Sequence, residues 1–190
     1  MNKPYIICHM MSAVDGRIDC GMTEKIQGVK EYYATLNELK ATAFVSGKVT
    51  AELEMALPGK FQAQNMEALS EEGFSKKGQA ASYNVVVDTQ GALLWKKDND
   101  KQSALLIITS EKVTKEYLAY LDDKNISWIA CGKEHIDLVR ASEILHDEFG
   151  VERMAIVGGG HINAGFLDAG LLDEVSVLLG PAIDGRGGMA

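Results

Sequence analysis

The feature that most constrains the fold is a series of seven short apolar segments, spread along the chain and separated by polar stretches. Several are continuous apolar runs, which is typical of strands buried on both faces of a parallel sheet. The segments are 5–10 (YIICHM), 42–46 (TAFVS), 84–88 (NVVVD), 104–109 (ALLIIT), 126–131 (ISWIAC), 153–157 (RMAIV) and 174–179 (EVSVLL). The series predicts a mostly parallel central sheet.

Apolar residues with helical spacing lie between several of these segments. Two stripes stand out: Val29, Tyr32, Tyr33, Leu36 and Leu39, and then Val113, Tyr117, Leu118 and Leu121. Thr114 can cap the second helix and Asn125 suits its left-handed exit. A third helix is expected over about 136–149, with Gly150 just past its end. The alternation predicts an α/β fold, a three-layer α/β/α sandwich with helices on both faces of the sheet.

The length of 190 residues fits one domain, which we interpret as covering residues 1–190. The polar segment 62–82 has weak periodicity and mixed charge, so we expect a mobile surface insertion there, with at most a helical turn. No further strand pattern follows the final GPAIDGRGGMA. We therefore keep open that the domain lacks its C-terminal strand or strands.

Composition excludes several classes of protein. The net charge of −8 argues against a general nucleic-acid binder but leaves room for a small anionic ligand. No apolar run approaches the roughly 20 residues of a membrane span. The odd number of cysteines, three without a C-x-x-C pair, predicts free thiols in a reducing cytoplasm. The four scattered histidines lack ligand spacing, so no metal site is expected.

The residues that follow the predicted strands are rich in Gly, Ser, Thr and Lys. In open α/β sheets, ligands bind beyond the carboxyl ends of the strands, where helix N-termini attract phosphates. The five ends read MSAVDGRI, GKVT, SEK, GKE and GGG. Turns are rich in Gly and Ser for other reasons too. The recurrence at one predicted edge favours a phosphate-bearing ligand.

Two common nucleotide-binding motifs are absent. The segment MAIVGGGHIN is not G-x-G-x-x-G, because Asn163 stands where the last glycine is required. The segment GKVT is not a Walker loop, because Thr42 stands five residues before Gly47. A phosphate site built on these glycines must therefore belong to another architecture.

In chain order, SAVDG, AFVSGKVT, VVVD, the strand–GGG–helix unit and GLLDEVSVLLGPAIDGRG resemble a known family. It is the reductase domain of the bifunctional deaminase–reductase of riboflavin biosynthesis, in the dihydrofolate-reductase-like superfamily. The resemblance runs over residues 4–188. It implies a dihydrofolate-reductase-like fold and a homodimer that uses NADPH. The implied reaction is that of 5-amino-6-(5-phosphoribosylamino)uracil reductase, in which hydride transfer converts the ribose into a ribityl chain.

The resemblance also implies roles for individual residues. Asp15 is the expected catalytic residue, because it could bind ribose hydroxyls or help a proton reach the substrate; an Asp-Gly pair that only shapes a turn is the alternative. The other expected substrate contacts are Ser12, Gly16 and Glu54. The expected cofactor contacts are Gly47, Thr50, Thr109, Ser110, Lys112, Gly158, Gly159, Gly160 and Ile162. Asp173 and Glu174 match the family's L-x-D-E, but we expect them to cap or orient structure.

The chain differs from the family in two places. The family usually has an acidic residue before its glycines, where this chain has Val157. It also has Asp-Asn-Pro after the threonine of G-x-x-T, where this chain has Glu54, Met55 and Ala56. Two alternatives therefore stay open. One is an NADPH reductase of another pterin- or pyrimidine-type substrate, and the other is a non-catalytic nucleotide-binding module.

Overall fold

The fold, a computed structural model, is described for residues 2–18, 21 and 25–186. Eight strands form one sheet in the order β3-β6-β5-β4-β2-β7-β1-β8. All neighbouring strands are parallel except β3 and β6. The strands are β1 Tyr5–Ser12, β2 Ala43–Gly47, β3 Gly73–Ser75, β4 Ser82–Val87, β5 Ser103–Thr109, β6 Ser127–Ala130, β7 Arg153–Gly158 and β8 Glu174–Leu179.

Helices cover both faces of the sheet. In the described part of the chain they are α1 Val29–Glu38, α2 Lys48–Glu54, α3 Lys115–Asp123, α4 Leu138–Asp147 and α5 Gly160–Asp168. One buried cluster joins α4 and α5 to the sheet through side chains such as Leu145 and Phe166. A second cluster joins α2 and α3 to the opposite face, with Ile107 and Leu121 among its members. The helices α2 and α3 therefore share one face, and α4 and α5 share the other.

The structure confirms the predicted fold class and the three predicted helices. Thr114 caps α3, where its hydroxyl accepts a hydrogen bond from the N–H of Tyr117. Asn125 has a φ of 58° and Gly150 has a φ of 71°, as expected of residues that end helices. All seven predicted strands form, with ends that differ by a residue or two from the sequence estimate.

The expectation of an irregular insertion over 62–82 was wrong for Gly73–Ser75. These three residues form β3, which pairs antiparallel with β6 at the edge of the sheet. The strand is too short to show periodicity, and its stabilising contact is distant in sequence: the rings of Phe74 and Phe149 meet edge-on at 6.2 Å. A contact of this kind leaves no local pattern in the sequence.

Cys8 and Cys131 are buried free thiols. Burial raises the pKa of the Cys131 thiol to about 12, so this sulfur is not a nucleophile at neutral pH. Cys20 and Gly188, to which the sequence analysis also refers, lie outside the described residues. Over the described ranges, no helix has the length and apolarity to cross a membrane, and no group of His, Cys, Asp and Glu is arranged to hold a metal.

Candidate active site

A cleft of about 780 Å³ opens between α1 and α2, over the middle of the sheet. This volume suits a small molecule. Most of its lining is apolar, and the apolar stripe of α1 forms one wall. The apolar lining residues include Met11, Val29, Tyr32, Tyr33, Leu36, Phe44, Val49, Leu53, Met55 and Val157.

The glycine loop, residues 158–160, lies at the mouth of this cleft. The surroundings and the backbone conformation differ among its three glycines. A Cβ on Gly158 would lie 3.1 Å from the Thr50 side chain. Gly159 has a φ of +90°, which side chains rarely adopt. Gly160 has neither constraint, since its Cβ would have Ile18 as nearest neighbour at 3.9 Å. Only Gly160 combines open space for a Cβ with a backbone conformation that other residues adopt.

The loop also begins a helix. Gly159 is the N-cap of α5, and no side chain caps the N–H groups of the first turn. Such groups carry the positive end of the helix dipole and bind anions. Gly47 lies behind the loop, where a Cβ would approach the Ile162 side chain to 2.7 Å. Gly47 and Ile162 therefore pack against each other.

Strand β7 contains an extra residue just before the glycines. Val45 pairs with Ile156, but the next residue, Ser46, pairs with Gly158, so Val157 has no partner in β2. An irregularity of this kind re-aims a side chain and is common beside active sites. It places Val157 in the lining of the cleft.

Thr109 and Ser110 lie at the end of β5, and both hydroxyls are buried. Each donates a hydrogen bond of 3.0 Å to the carbonyl oxygen of Thr89. Lys112 is exposed and forms an ion pair with Glu134. These three residues do not line the cleft.

Lys48 and Asp88 form a charge pair that the sequence did not indicate. The Asp88 carboxylate is fully buried, and one oxygen accepts hydrogen bonds from the N–H groups of Ala92 and Leu93. The other oxygen has no hydrogen-bond partner, and the Lys48 ammonium lies 3.7 Å from it. Lys48 begins α2 directly after Gly47, and its side chain is 33% exposed. A cation therefore lies at the edge where ligands bind.

The Asp15 carboxylate is engaged by its own chain. It accepts hydrogen bonds from the N–H of Gly185 at 2.9 Å and of Asp184 at 3.3 Å. The bond from Gly185 is the main cause that lowers the pKa of Asp15. Asp184 pairs with Arg186 and Arg17, and the bond from Arg186 lowers the pKa of Asp184 to about 2.

The neighbours of Asp15 are also held by the turn. The Ser12 hydroxyl donates a hydrogen bond of 2.7 Å to the carbonyl oxygen of Ala13. Gly16 has a φ of +87°, and its N–H donates to the same carbonyl. Neither of them lines the cleft, nor does Asp15.

The cleft thus brings together some of the residues that the sequence analysis singled out. Thr50, Glu54, Gly158, Gly159 and Gly160 line it. The residues that do not line it are Ser12, Asp15, Gly16, Gly47, Thr109, Ser110, Lys112 and Ile162. The ligand roles of both groups stay predictions. Asp173 accepts hydrogen bonds from the N–H of Ile6 and from the Lys3 ammonium, which fits the structural role expected of it.

Comparison with known sequences identifies the family of this chain. The chain matches the family described as RibD C-terminal domain over residues 4–190. It is 34% identical, over 84 residues, to a 2,5-diamino-6-ribosylamino-4(3H)-pyrimidinone 5′-phosphate reductase from Methanothermobacter thermautotrophicus. That alignment covers 44% of this chain and 38% of the relative.

Solved structures share the fold over nearly the whole chain. RibD of Acinetobacter baumannii superimposes with a TM-score of 0.66 at 17% identity, covering 98% of this chain and 48% of that protein. A pyrimidine reductase-like protein from Corynebacterium diphtheriae gives a TM-score of 0.65 at 17% identity, with coverages of 96% and 76%. The riboflavin biosynthesis reductase Rib7 of Saccharomyces cerevisiae gives 0.61 at 15%, with the same coverages.

Proposed function

Because the chain belongs to the RibD C-terminal domain family, we propose that it is an NADPH-dependent reductase of riboflavin biosynthesis. The proposed reaction is like that of 5-amino-6-(5-phosphoribosylamino)uracil reductase. The observation that carries the proposal is the glycine loop, which presents an uncapped helix N-terminus to the cleft, with open space above Gly160.

The glycine loop fits a dinucleotide pyrophosphate. Gly158, Gly159 and Gly160 would let the backbone N–H groups at the start of α5 approach its oxygens, with Thr50 beside them. Gly47 and Ile162 would support the loop from behind through their mutual packing. Bound NADPH would supply the hydride, so the protein needs no nucleophile or metal of its own for that step.

The adenosine end of the cofactor would lie over the ends of β4 and β5. Thr109 and Ser110 would shape that surface through their bonds to Thr89. Lys112, two residues after Ser110, is one candidate cation for the 2′-phosphate. Lys48 is a second candidate, because it lies at the same edge and its pairing with Asp88 exceeds hydrogen-bond distance.

The apolar walls of the cleft would exclude water from the reacting atoms. Among the expected substrate contacts, Glu54 lines the cleft. Ser12, Asp15 and Gly16 would act from the neighbouring turn, and the catalytic role of Asp15 stays a prediction. To act as a general acid, the Asp15 side chain would first have to break its hydrogen bonds with the N–H groups of Asp184 and Gly185.

Cofactor titration tests the proposal. We expect NADPH to raise the melting temperature, with NADH much weaker. We also expect NADPH to be oxidised when 5-amino-6-(5-phosphoribosylamino)uracil is added. If neither cofactor shifts melting at millimolar concentration, the proposal fails. Binding of NADPH without turnover of any pyrimidine or pterin would leave the non-catalytic nucleotide-binding module.

A second candidate is an NADPH reductase of another pterin- or pyrimidine-type substrate. The observation that favours it is Val157, which enters the cleft where the family usually has an acidic residue. Oxidation of NADPH by such a compound, but not by the phosphoribosylamino-pyrimidine, would establish this candidate instead.

We also propose that the protein is a homodimer. Strand β8 is an edge strand, and its alternate residues Val175, Val177 and Leu179 are more than half exposed. Apolar patches of this kind mark contact surfaces. Light scattering would show a dimer that Val177→Lys converts into a monomer. The single domain and the cytoplasmic location stay predictions.

A further inference from the structure

Two polar side chains lie in the mostly apolar lining of the cleft, on neighbouring strands. Ser46 belongs to β2 and Asn84 to β4, and both line the cleft. Asn84 pairs in register with Phe44, and Ser46 lies two residues further along β2. Because side chains alternate along a strand, Ser46, Asn84 and Phe44 share the face of the sheet that forms the floor of the cleft.

Neither polar side chain has a hydrogen-bond partner within the described part of the protein. The side chain of Ser46 belongs to a residue that is only 6% exposed. The other buried hydroxyls of the described residues all have partners. Those of Ser12, Thr109, Ser110 and Ser142 donate to carbonyl oxygens, and that of Ser127 accepts from the N–H of Lys77.

Neither Ser46 nor Asn84 contributes a buried unpartnered side-chain atom among the described residues, so both polar groups reach the open space of the cleft, where a ligand can meet them. A hydroxyl can donate and accept, and a carboxamide offers both an N–H₂ donor and a carbonyl acceptor. The two side chains can therefore bind a ligand edge that carries both a donor and an acceptor. The N–H and C=O of a lactam in a pyrimidinone or pterin ring form such an edge.

The neighbouring side chains suit the same ligand. Phe44 precedes Ser46 on the floor, and Val157 lines the cleft from the adjacent strand β7. Both offer apolar contact to the face of a flat ring. We infer that Ser46 and Asn84 are specificity-determining residues that bind the lactam edge of a planar heterocycle, a substrate assignment that rests on the proposed reductase function.

Two substitutions test this inference in the full-length protein. Ser46→Ala and Asn84→Leu remove the polar groups with little change in size, and the probe is 5-amino-6-(5-phosphoribosylamino)uracil. We expect each to raise KM by about tenfold, because each removes a hydrogen bond to the substrate. We expect the affinity for NADPH to stay unchanged. Ser46→Thr, which keeps the hydroxyl, should retain the KM of the natural protein.

Thermal stability separates this role from a structural one. Removing an unpartnered polar group should leave the melting temperature unchanged or higher, whereas loss of a structural hydrogen bond would lower it. Ser103→Ala is the matched control, since Ser103 begins β5 and does not line the cleft. A lowered melting temperature in Ser46→Ala, with KM unchanged, would overturn the inference.

A cofactor-free measurement distinguishes failure of this inference from failure of the proposed function. The same pyrimidine, added without NADPH, should raise the melting temperature of the natural protein but not of Ser46→Ala or Asn84→Leu. If NADPH does not bind but this pattern appears, Ser46 and Asn84 bind the pyrimidine and the reductase proposal is wrong. If both variants keep the pyrimidine-induced shift, the assignment of Ser46 and Asn84 is wrong, whether or not NADPH binds.

Discussion

The glycine loop after β7 and the turn after β1 lie at the same edge of the sheet, on neighbouring strands, but they differ in how their polar groups are used. In the glycine loop, no side chain caps the start of α5, and the space above Gly160 is open. In the turn, both carboxylate oxygens of Asp15 accept hydrogen bonds from the protein's own backbone. The polar groups of the glycine loop are therefore open to a ligand, whereas those of the turn already bond within the protein.

The difference gives a physical criterion for ligand contacts. A polar group that the fold has already satisfied holds structure, and binding through it must break a bond. A polar group that lies in a cleft without a partner is available to a ligand. The same contrast separates Ser46 from Thr109 and Ser110 among the buried hydroxyls.

The largest expected effect is on the glycine loop. Gly159 has a φ of +90°, so a substitution there mixes backbone strain with any lost contact. Gly160 is the sharper site, because the protein leaves room for a side chain. We expect Gly160→Val to weaken NADPH binding by about tenfold to a hundredfold, since the side chain would hold the pyrophosphate away from charge-assisted N–H bonds.

The fold should survive this change, which calorimetry with and without NADPH would show. Gly73→Ala is the control, because its Cβ would make only ordinary contact with Trp128, at 3.6 Å, and Gly73 does not line the cleft. Unchanged NADPH affinity in Gly160→Val would mean that the loop is only a turn.

A smaller effect is expected from the two lysines at the adenosine end. Lys48→Ala should weaken NADPH binding by about tenfold while NADH binding stays the same, because a charge-assisted bond to the 2′-phosphate is lost. Lys112→Ala should have less effect, since its ammonium is exposed and paired with Glu134. Parallel titrations with both cofactors measure this, and the reverse order of the two variants would assign the 2′-phosphate to Lys112.

Asp15 tests how a polar group behaves when its hydrogen bonds are already made within the protein. Asp15→Asn should lower the melting temperature, because a carboxamide cannot accept both backbone bonds as a carboxylate does. If Asp15 only holds the turn, kcat should change by less than about tenfold, since a group that transfers a proton contributes typically 10²–10⁴-fold. A larger loss of kcat, with the melting temperature unchanged, would instead support the catalytic role of Asp15.

The smallest effect concerns His9, which is buried in β1. Its ring stacks on Tyr32 at 4.5 Å, and one ring nitrogen lies 3.0 Å from the Ser176 hydroxyl. Burial lowers the pKa of His9, so the unfolded chain binds the proton more tightly than the fold does. Stability from neutral His9 is therefore complete above its unfolded pKa of about 6.5 and is lost as the pH falls below that value.

Denaturant titrations at a series of pH values measure this. We expect His9→Gln to remove part of the decrease in the free energy of unfolding below pH 6.5. An identical pH profile in the natural protein and His9→Gln would contradict the assignment.

The fold could be predicted from the sequence because the residues of each core strand themselves identify it as a strand. Continuous apolar runs marked seven strands, and Thr114, Asn125 and Gly150 marked helix ends through local backbone chemistry. Motif order predicted the family, which the match over residues 4–190 confirms. These features depend on residues close together in the chain.

The parts that sequence reasoning missed depend on distant contacts. The partners of Asp15 are about 170 residues away, and Asp88 is 40 positions from Lys48. The three adjacent glycines look equivalent in sequence, but Thr50, the backbone and open space set them apart. The partner-free state of Ser46 and Asn84 is likewise visible only once the strands are assembled.

Amide hydrogen exchange with and without NADPH tests most directly the claim that unsatisfied groups, and not satisfied ones, contact the ligand. We expect NADPH to slow exchange at residues 159–161, where no side chain caps the helix N-terminus, and we exclude Ile162 because its N–H already donates to the carbonyl oxygen of Gly159. We expect no change at residues 184–186, whose N–H groups already bond within the turn. Protection at 184–186 without protection at 159–161 would contradict this claim.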